Sequence, residues 1–125
     1  MNTPLLVGGA LAALLGAAHS FLGERLLLGP LFERGELPRL LGSRTFAKRT
    51  LRFAWHLTTV LLAGVGLMVI ALSFSQIGPQ TAWILRYLSI VFVACSAISL
   101  IGARGKHFSW YVFIAIAACL WLGAS

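Results

Sequence analysis

The chain alternates between long apolar runs and short polar segments, a pattern that predicts membrane-spanning helices. The apolar runs cover residues 4–28, 51–74, 81–101 and 108–122. A bilayer core about 30 Å thick needs ~20 helical residues to cross it, and the fourth run is the shortest of the four. We therefore expect an all-α integral membrane protein, a four-transmembrane-helix antiparallel bundle that forms a single domain over residues 1–125.

The polar segments predict where the helices begin and end. Gly29 suits a C-terminal cap and Pro30 cannot continue the hydrogen-bond ladder, so the first helix is expected to end there. The segment LFERGELPRLLGSR mixes leucines with charges and is typical of a basic interfacial loop between the first two helices. Its carboxylates, Glu33 and Glu36, are expected to form ordinary interfacial ion pairs. Ser43 or Thr45 can cap the second helix.

Composition and charge place the chain in a membrane and orient it. Hydrophobic residues make up 59% and charged residues 10%, whereas soluble domains are about half apolar and a quarter charged. Nine of the ten basic residues fall on the face that holds the 26–50 and 102–107 segments. The positive-inside rule makes that face cytoplasmic, with both termini non-cytoplasmic, in a bacterial-type inner membrane. The net charge of +7 predicts attraction to anionic lipid headgroups there, and no nucleic-acid binding.

Three histidines fall at one depth when residues are counted along each helix at 1.5 Å per residue. His19 lies near the cytoplasmic end of the first helix, His56 near that end of the second, and His107 at the start of the fourth. The chain has only three carboxylates. The same layer also contains Glu24, Arg52 and Trp55. The sequence therefore predicts a polar site at the cytoplasmic end of the bundle.

The helix faces support this placement. His19 shares a face with Ala12 and Gly16, and small residues along one face let membrane helices approach closely. His56 follows the same face of the second helix as the small residues Ala63 and Gly66. We expect these two faces to pack together and to bring the two imidazoles near one another.

The first functional hypothesis is a metal or haem centre in a small enzyme or electron carrier. Neutral imidazole is the commonest metal ligand, and His19, His56 and His107 with Glu24 would suit zinc, iron or copper. His19 and His56 on neighbouring helices could instead ligate a haem iron. Glu24 lies five residues after His19, so its expected role is to orient a ligand, by accepting from His56 or by pairing with Arg52.

The second hypothesis is a transporter or binding protein for a lipid-like or small solute. Its histidines would act as hydrogen-bond or proton-relay groups. A plainer alternative for His56, beside Trp55, is that of an interface anchor. Arg86, in the third run, either extends towards the non-cytoplasmic surface or supplies a counter-charge for an anionic lipid or solute. Cys95 and Cys119 are expected to be small buried side chains. The small-residue faces are compatible with a homodimer.

In size and helix count the chain is similar to the small multidrug resistance transporters. The resemblance concerns architecture alone. Those transporters use a glutamate within the first span to exchange protons for a cation. Here the first run contains no carboxylate before Glu24, at its end.

Overall fold

The protein is described by a computed structural model that covers residues 1–35 and 37–125. It is all-helical, with 81% of residues in helices, and no β-strand occurs in those two ranges. Glu36, for which an ion pair was predicted, lies outside the described residues.

The first helix is longer than the sequence predicts. Helix α1 spans Thr3–Gly23. It is capped by Asn2, whose side chain accepts a hydrogen bond from the Leu5 amide at 3.2 Å. It continues through a π-helical stretch, Glu24–Leu28, into α2, Gly29–Arg34. The chain leaves α2 at Gly35, whose φ of 68° is the left-handed conformation that favours glycine.

The prediction that the helix ends at Gly29 and Pro30 is wrong, and the π-helical stretch gives the reason. A proline ring inside an α-helix collides with the carbonyl four residues earlier. Here the Gly29 amide bonds to the carbonyl of Glu24, five residues back, so the turn before Pro30 is wider than an α-turn. The wider turn accommodates the proline, and the helix continues beyond it.

The remaining helices match the apolar runs more closely. Helix α3, Arg44–Leu72, is capped by Ser43, whose hydroxyl accepts from the Phe46 amide at 3.2 Å, as predicted. It begins seven residues before the run that starts at residue 51, because the basic residues of the predicted loop form its first turns. Helix α4 spans Pro79–Gly102 and helix α5 spans Ser109–Gly123.

Three helices are long and apolar enough to cross a membrane. They are the continuous helix Thr3–Arg34 with 32 residues, α3 with 29 and α4 with 24. Helix α5 has only 15 residues, which is roughly 22 Å at 1.5 Å per residue. The structure therefore agrees with a membrane-spanning protein, and α5 is the one predicted span that falls below the usual length.

Helices α1 and α5 occupy the two inner positions of the bundle. Helix α1 packs against α3 and α5, and α4 packs against α5, whereas α3 and α4 hardly contact one another along the described chain. The Asn2 amide donates to the Ser73 carbonyl at 2.7 Å, and its side chain donates to the Gly123 carbonyl at 2.8 Å. The start of α1 thus meets the ends of α3 and α5, so these neighbours are antiparallel. We call the opposite end, which carries Arg44–Arg52 and Arg104, the basic end.

The predicted contact between small residues of α1 and α3 is confirmed. A methyl group added at Gly16 would lie 3.2 Å from the Thr59 carbonyl oxygen, and one at Gly9 would lie 2.7 Å from that of Gly66. A methyl group at Gly9 would therefore collide with the α3 backbone, and one at Gly16 would fit only if α3 moved by a few tenths of an ångström. The two backbones therefore approach one another along most of α1, which fixes the relative positions of polar residues at the basic end.

Candidate functional site

An ion pair joins α1 to α3 at the basic end. Glu24 is the first residue of the π-helical stretch, and Arg52 lies in the third turn of α3. Arg52 Nη2 lies 2.5 Å from Glu24 Oε1, and Arg52 Nε donates to Oε2 at 3.2 Å. Both side chains are partly exposed, 52% for Arg52 and 37% for Glu24. The forked geometry holds the carboxylate in place while leaving the guanidinium accessible.

His56 extends this contact into a longer series. Its Nε2 atom lies 3.4 Å from Glu24 Oε2, and its Nδ1 atom lies 2.6 Å from the hydroxyl of Ser20 on α1. We call Ser20, His56, Glu24 and Arg52 the polar chain. Glu24 thus contacts both of the residues named for it as alternatives. That it orients a metal ligand stays a prediction.

His19 has a separate set of partners. Its ring stacks on the indole of Trp55 with centroids 4.3 Å apart, and its Nε2 atom lies 3.1 Å from the Thr58 hydroxyl. The indole nitrogen of Trp55 donates to the His19 carbonyl at 2.9 Å. A methyl group at Gly23 would overlap the indole ring. Gly23 therefore leaves the space that Trp55 fills.

His107 lies in the segment before α5, with its Nδ1 atom 2.7 Å from the Ser109 hydroxyl. Each of the three histidines has its own protein partners. Within residues 1–35 and 37–125, no group of three or more His, Cys, Asp or Glu side chains is placed to hold a metal ion. The metal or haem centre at His19, His56, His107 and Glu24 stays a prediction.

An open groove with a volume of about 910 Å³ runs beside the polar chain. We call it the basic groove. It is formed by one face of α3 together with one residue of α2, and its lining residues are Phe32, Thr45, Lys48, Arg49, Arg52, Phe53, His56, Leu57 and Val60. Lys48 donates to the Phe32 carbonyl at 2.7 Å, and the Arg52 guanidinium lies 5.1 Å from the centre of the Phe32 ring. These contacts hold α2 against α3 and define one wall.

The basic groove is strongly unbalanced in charge. Lys48, Arg49 and Arg52 line it, and no carboxylate is among its lining residues in the described chain; Glu24 pairs with Arg52 at its edge. In the part of the chain that the structure describes, Arg49 pairs with no carboxylate. The opposite end of the groove is apolar and contains Leu57 and Val60. One surface therefore offers cations and hydrocarbon side by side.

No family model, curated protein or solved structure matches the chain. Its function is therefore argued from the geometry of the basic end.

Sequence reasoning identified the polar chain more completely than the groove. Arg52 and His56 were predicted site residues, whereas Lys48, Arg49 and Phe32 were not. The signal was present, since Arg49, Arg52 and His56 are three and four residues apart and so share a helix face. It was not used because Lys48 and Arg49 were attributed to the interfacial loop.

Arg86 lies away from this site. It is in α4, and its Nη2 atom lies 3.5 Å from the Ala124 carbonyl, near the end of α5. Its guanidinium lies 5.8 Å from the centre of the Trp121 ring. The observed contacts of Arg86 are thus with the end of α5, and its predicted role towards a lipid or solute stays untested.

Proposed function

We propose that the protein binds an anionic, lipid-like amphiphile in the basic groove. The observation that carries this proposal is the lining of one open groove by Lys48, Arg49 and Arg52 beside an apolar surface. A phospholipid with a net negative headgroup has the same division into charge and hydrocarbon. The charge complementarity favours it over a zwitterionic lipid or a neutral solute.

The arrangement along α3 gives each part of the ligand a position. Arg49 and Arg52 share a face and would receive the headgroup, because a guanidinium can donate two hydrogen bonds to one phosphate. Leu57 and Val60 lie one to two turns farther along α3 in the same groove. An acyl chain would lie against them. The ligand would therefore lie along α3 with its headgroup towards the basic end.

The same proposal includes the topology. All four helices cross a bacterial-type inner membrane, the basic end is cytoplasmic and both termini are non-cytoplasmic. The supporting observation is the concentration of basic residues at one end of the bundle, as the positive-inside rule requires. Anionic lipids attract basic segments to that face, so the proposed ligand is available where the groove opens.

The histidines act in this proposal as hydrogen-bonding groups. His56 lines the groove and contacts both Ser20 and Glu24, while His19 packs on Trp55. Both ring nitrogens of His56 and Nε2 of His19 have protein partners.

The test uses the purified full chain without a histidine tag, in detergent micelles. Short-chain phosphatidylglycerol and phosphatidylcholine with identical acyl chains are titrated by isothermal calorimetry. We expect saturable binding of phosphatidylglycerol. Arg49→Gln should weaken it about tenfold or more, because a hydrogen bond to a charged group contributes ~1.5–3 kcal/mol. Arg104→Gln removes the same charge outside the groove and should leave the affinity within about twofold.

Three results would overturn the proposal. The first is equal affinity for the two lipids, and the second is an equal loss in both arginine variants, which would indicate general charge attraction. The third is a stoichiometric metal ion or a haem absorption band that disappears in His19→Ala or His56→Ala. That result would establish the metal centre at the basic end.

Glycerol phosphate, which lacks acyl chains, should bind far more weakly, since it cannot use the apolar half of the groove.

A further inference from the structure

We propose that the basic groove prefers a phosphate monoester over a phosphodiester, and that Lys48 determines this preference. The inference rests on the proposed function and names the class of headgroup that the same site selects. It starts from the charges and the hydrogen-bond donors that line the groove. Phosphatidic acid and free phosphate esters share the monoester chemistry, and the acyl chains distinguish the two sources.

The net charge of the groove matches a headgroup with two negative charges. Lys48, Arg49 and Arg52 line the groove, and Glu24 pairs with Arg52 at its edge. The carboxylate neutralises one of these three cations, so two positive charges remain for the ligand. A phosphodiester supplies one negative charge and leaves one cation uncompensated. A dianionic monoester balances both.

The donors in the groove also suit a monoester. Arg52 uses Nε and Nη2 on Glu24, which leaves the N–H groups of Nη1 for a ligand. Lys48 uses one N–H on the Phe32 carbonyl and keeps its others. Arg49 pairs with no carboxylate in the described chain. A monoester has a third terminal oxygen that a phosphodiester lacks, so it can accept from more of these donors.

The three cations lie close enough together to bind one phosphate. Positions 48, 49 and 52 fall within about 100° around α3 and roughly 6 Å along it, at 3.6 residues per turn and 1.5 Å per residue. One aromatic ring contacts two of them, since Lys48 Nζ lies 5.9 Å and the Arg52 guanidinium 5.1 Å from the centre of the Phe32 ring. This clustering favours two charges on a single phosphorus atom.

Lys48 is the cation that separates the two headgroup classes. Arg49 and Arg52 are assigned to the two terminal oxygens that both classes possess. The ammonium of Lys48 is held at 2.7 Å from the Phe32 carbonyl, and its remaining donors would bind the third oxygen of a monoester. Without the charge of Lys48, the net charge of the groove would match a phosphodiester instead.

The test compares two lipids that differ by one methyl group on the phosphate. Dioctanoyl phosphatidic acid is the monoester, and dioctanoyl phosphatidylmethanol is the corresponding phosphodiester. Both are titrated by calorimetry into the full chain in detergent micelles at about pH 8, above the second pKa of a phosphate monoester, which is about 6. We expect phosphatidic acid to bind about tenfold more tightly, because it makes one more hydrogen bond between charged groups.

Three variants assign the preference to Lys48. Lys48→Gln should weaken phosphatidic acid about tenfold and leave phosphatidylmethanol within about threefold, since Arg49 and Arg52 still bind the diester. Lys48→Arg keeps the charge and should keep the preference. Lys106→Gln is the matched control, because it removes a lysine that does not line the groove, from the segment between α4 and α5. It should leave the ratio of the two affinities unchanged.

The outcomes separate this inference from the proposed function. Equal affinity of the unmodified chain for the two lipids would overturn the preference and leave the proposed function intact. An equal loss of both lipids in Lys48→Gln would show that Lys48 only holds α2 in place. A ratio that falls as far in Lys106→Gln would indicate general charge attraction, and either result would overturn the role of Lys48.

Two further results bear on the proposed function itself. Absence of binding of both lipids would overturn it. Glycerol phosphate, a monoester without acyl chains, should bind far more weakly than phosphatidic acid. Equal binding of the two would overturn the lipid-like ligand and leave the preference for a monoester standing.

Discussion

The space left by Gly23 determines how Trp55 and His19 are arranged. The indole of Trp55 lies against Gly23, donates to the His19 carbonyl and stacks on the His19 ring. Gly23 and His19 of α1 and Trp55 of α3 therefore form one contact between the two helices. The sequence identified His19 and Trp55 as members of one layer, but not their stacking, since ring orientation depends on the rotation of both helices.

Adding a methyl group at this position tests the arrangement. Gly23→Ala should lower the free energy of unfolding by ~1–3 kcal/mol, because the indole must move and lose its contacts with His19. The measurement is thermal unfolding in detergent, supported by near-ultraviolet circular dichroism of the aromatic side chains.

A double-mutant cycle provides the control. In a Trp55→Leu background the smaller side chain can yield, so Gly23→Ala should cost much less than in the unmodified chain. Additive losses would contradict a direct contact. Gly102→Ala, where a methyl group meets no atom within 4 Å, should have little effect in either background.

At the scale of elements, the π-helical stretch is the feature that the sequence did not predict. Proline was interpreted as a helix end, which holds when the preceding turn is α-helical. The identity of Pro30 does not reveal that Glu24–Leu28 widens by one residue and lets α2 continue. The consequence concerns the site, because α2 carries Phe32 against Lys48 and Arg52. The sequence therefore could not predict the groove wall that Phe32 forms, although the basic residues of the groove can be identified from it.

The contact between α1 and α3 could be predicted because small residues recur at helical spacing in both helices. Small residues recur along one face of each helix, and the structure brings those faces together. Gly66 makes the tightest approach to a backbone atom of the other helix, since a methyl group there would lie 2.6 Å from the Ala13 amide nitrogen. Gly64, two residues earlier, faces away and has no atom within 4 Å of an added methyl group.

These two glycines form a matched pair on one helix. Gly66→Ala should lower the unfolding free energy by ~1–3 kcal/mol, since the helices must separate. Gly64→Ala should cause no loss and can gain up to ~1 kcal/mol, because alanine restricts the helix backbone more than glycine does. Thermal or denaturant unfolding in the same detergent measures both. Equal effects would show that the α1 to α3 contact does not limit stability.

At the scale of the whole molecule, hydropathy predicted the all-helical fold and the order of the helices. It could not predict that α1 and α5 occupy the inner positions or that α3 and α4 barely touch. Which helices are neighbours depends on the side chains that pack between them. Helices α3 and α4 follow one another in the sequence, so sequence order alone would pair them, but they hardly touch. The site was predicted in part for the same reason: depth can be counted along each helix, whereas the contacts between helices cannot.

Membrane orientation can be tested with single cysteines in a background that lacks Cys95 and Cys119. Gln76→Cys lies in the exposed turn between α3 and α4, and Leu40→Cys lies before α3 at the basic end. An impermeant maleimide added to spheroplasts should label the first variant and not the second. The reason is the nine basic residues on the opposite side from residue 76. Labelling of position 40 and not of position 76 would show that the basic end is non-cytoplasmic, the opposite of the expected orientation.

The hydrogen bond between Asn2 and Gly123 spans 121 positions of the chain, and it determines when the bundle can be completed. Chains are synthesised at roughly 5–20 residues per second, so α1 exists several seconds before α5 does. During that interval the face of α1 that later meets α5 is uncovered. Helix α3 can associate with the other face earlier. We therefore expect assembly to proceed from α1 with α3 to a late docking of α5, and a stalled chain that lacks α5 would expose Gly8, against which Cys119 packs in the complete bundle, as a surface for misassembly.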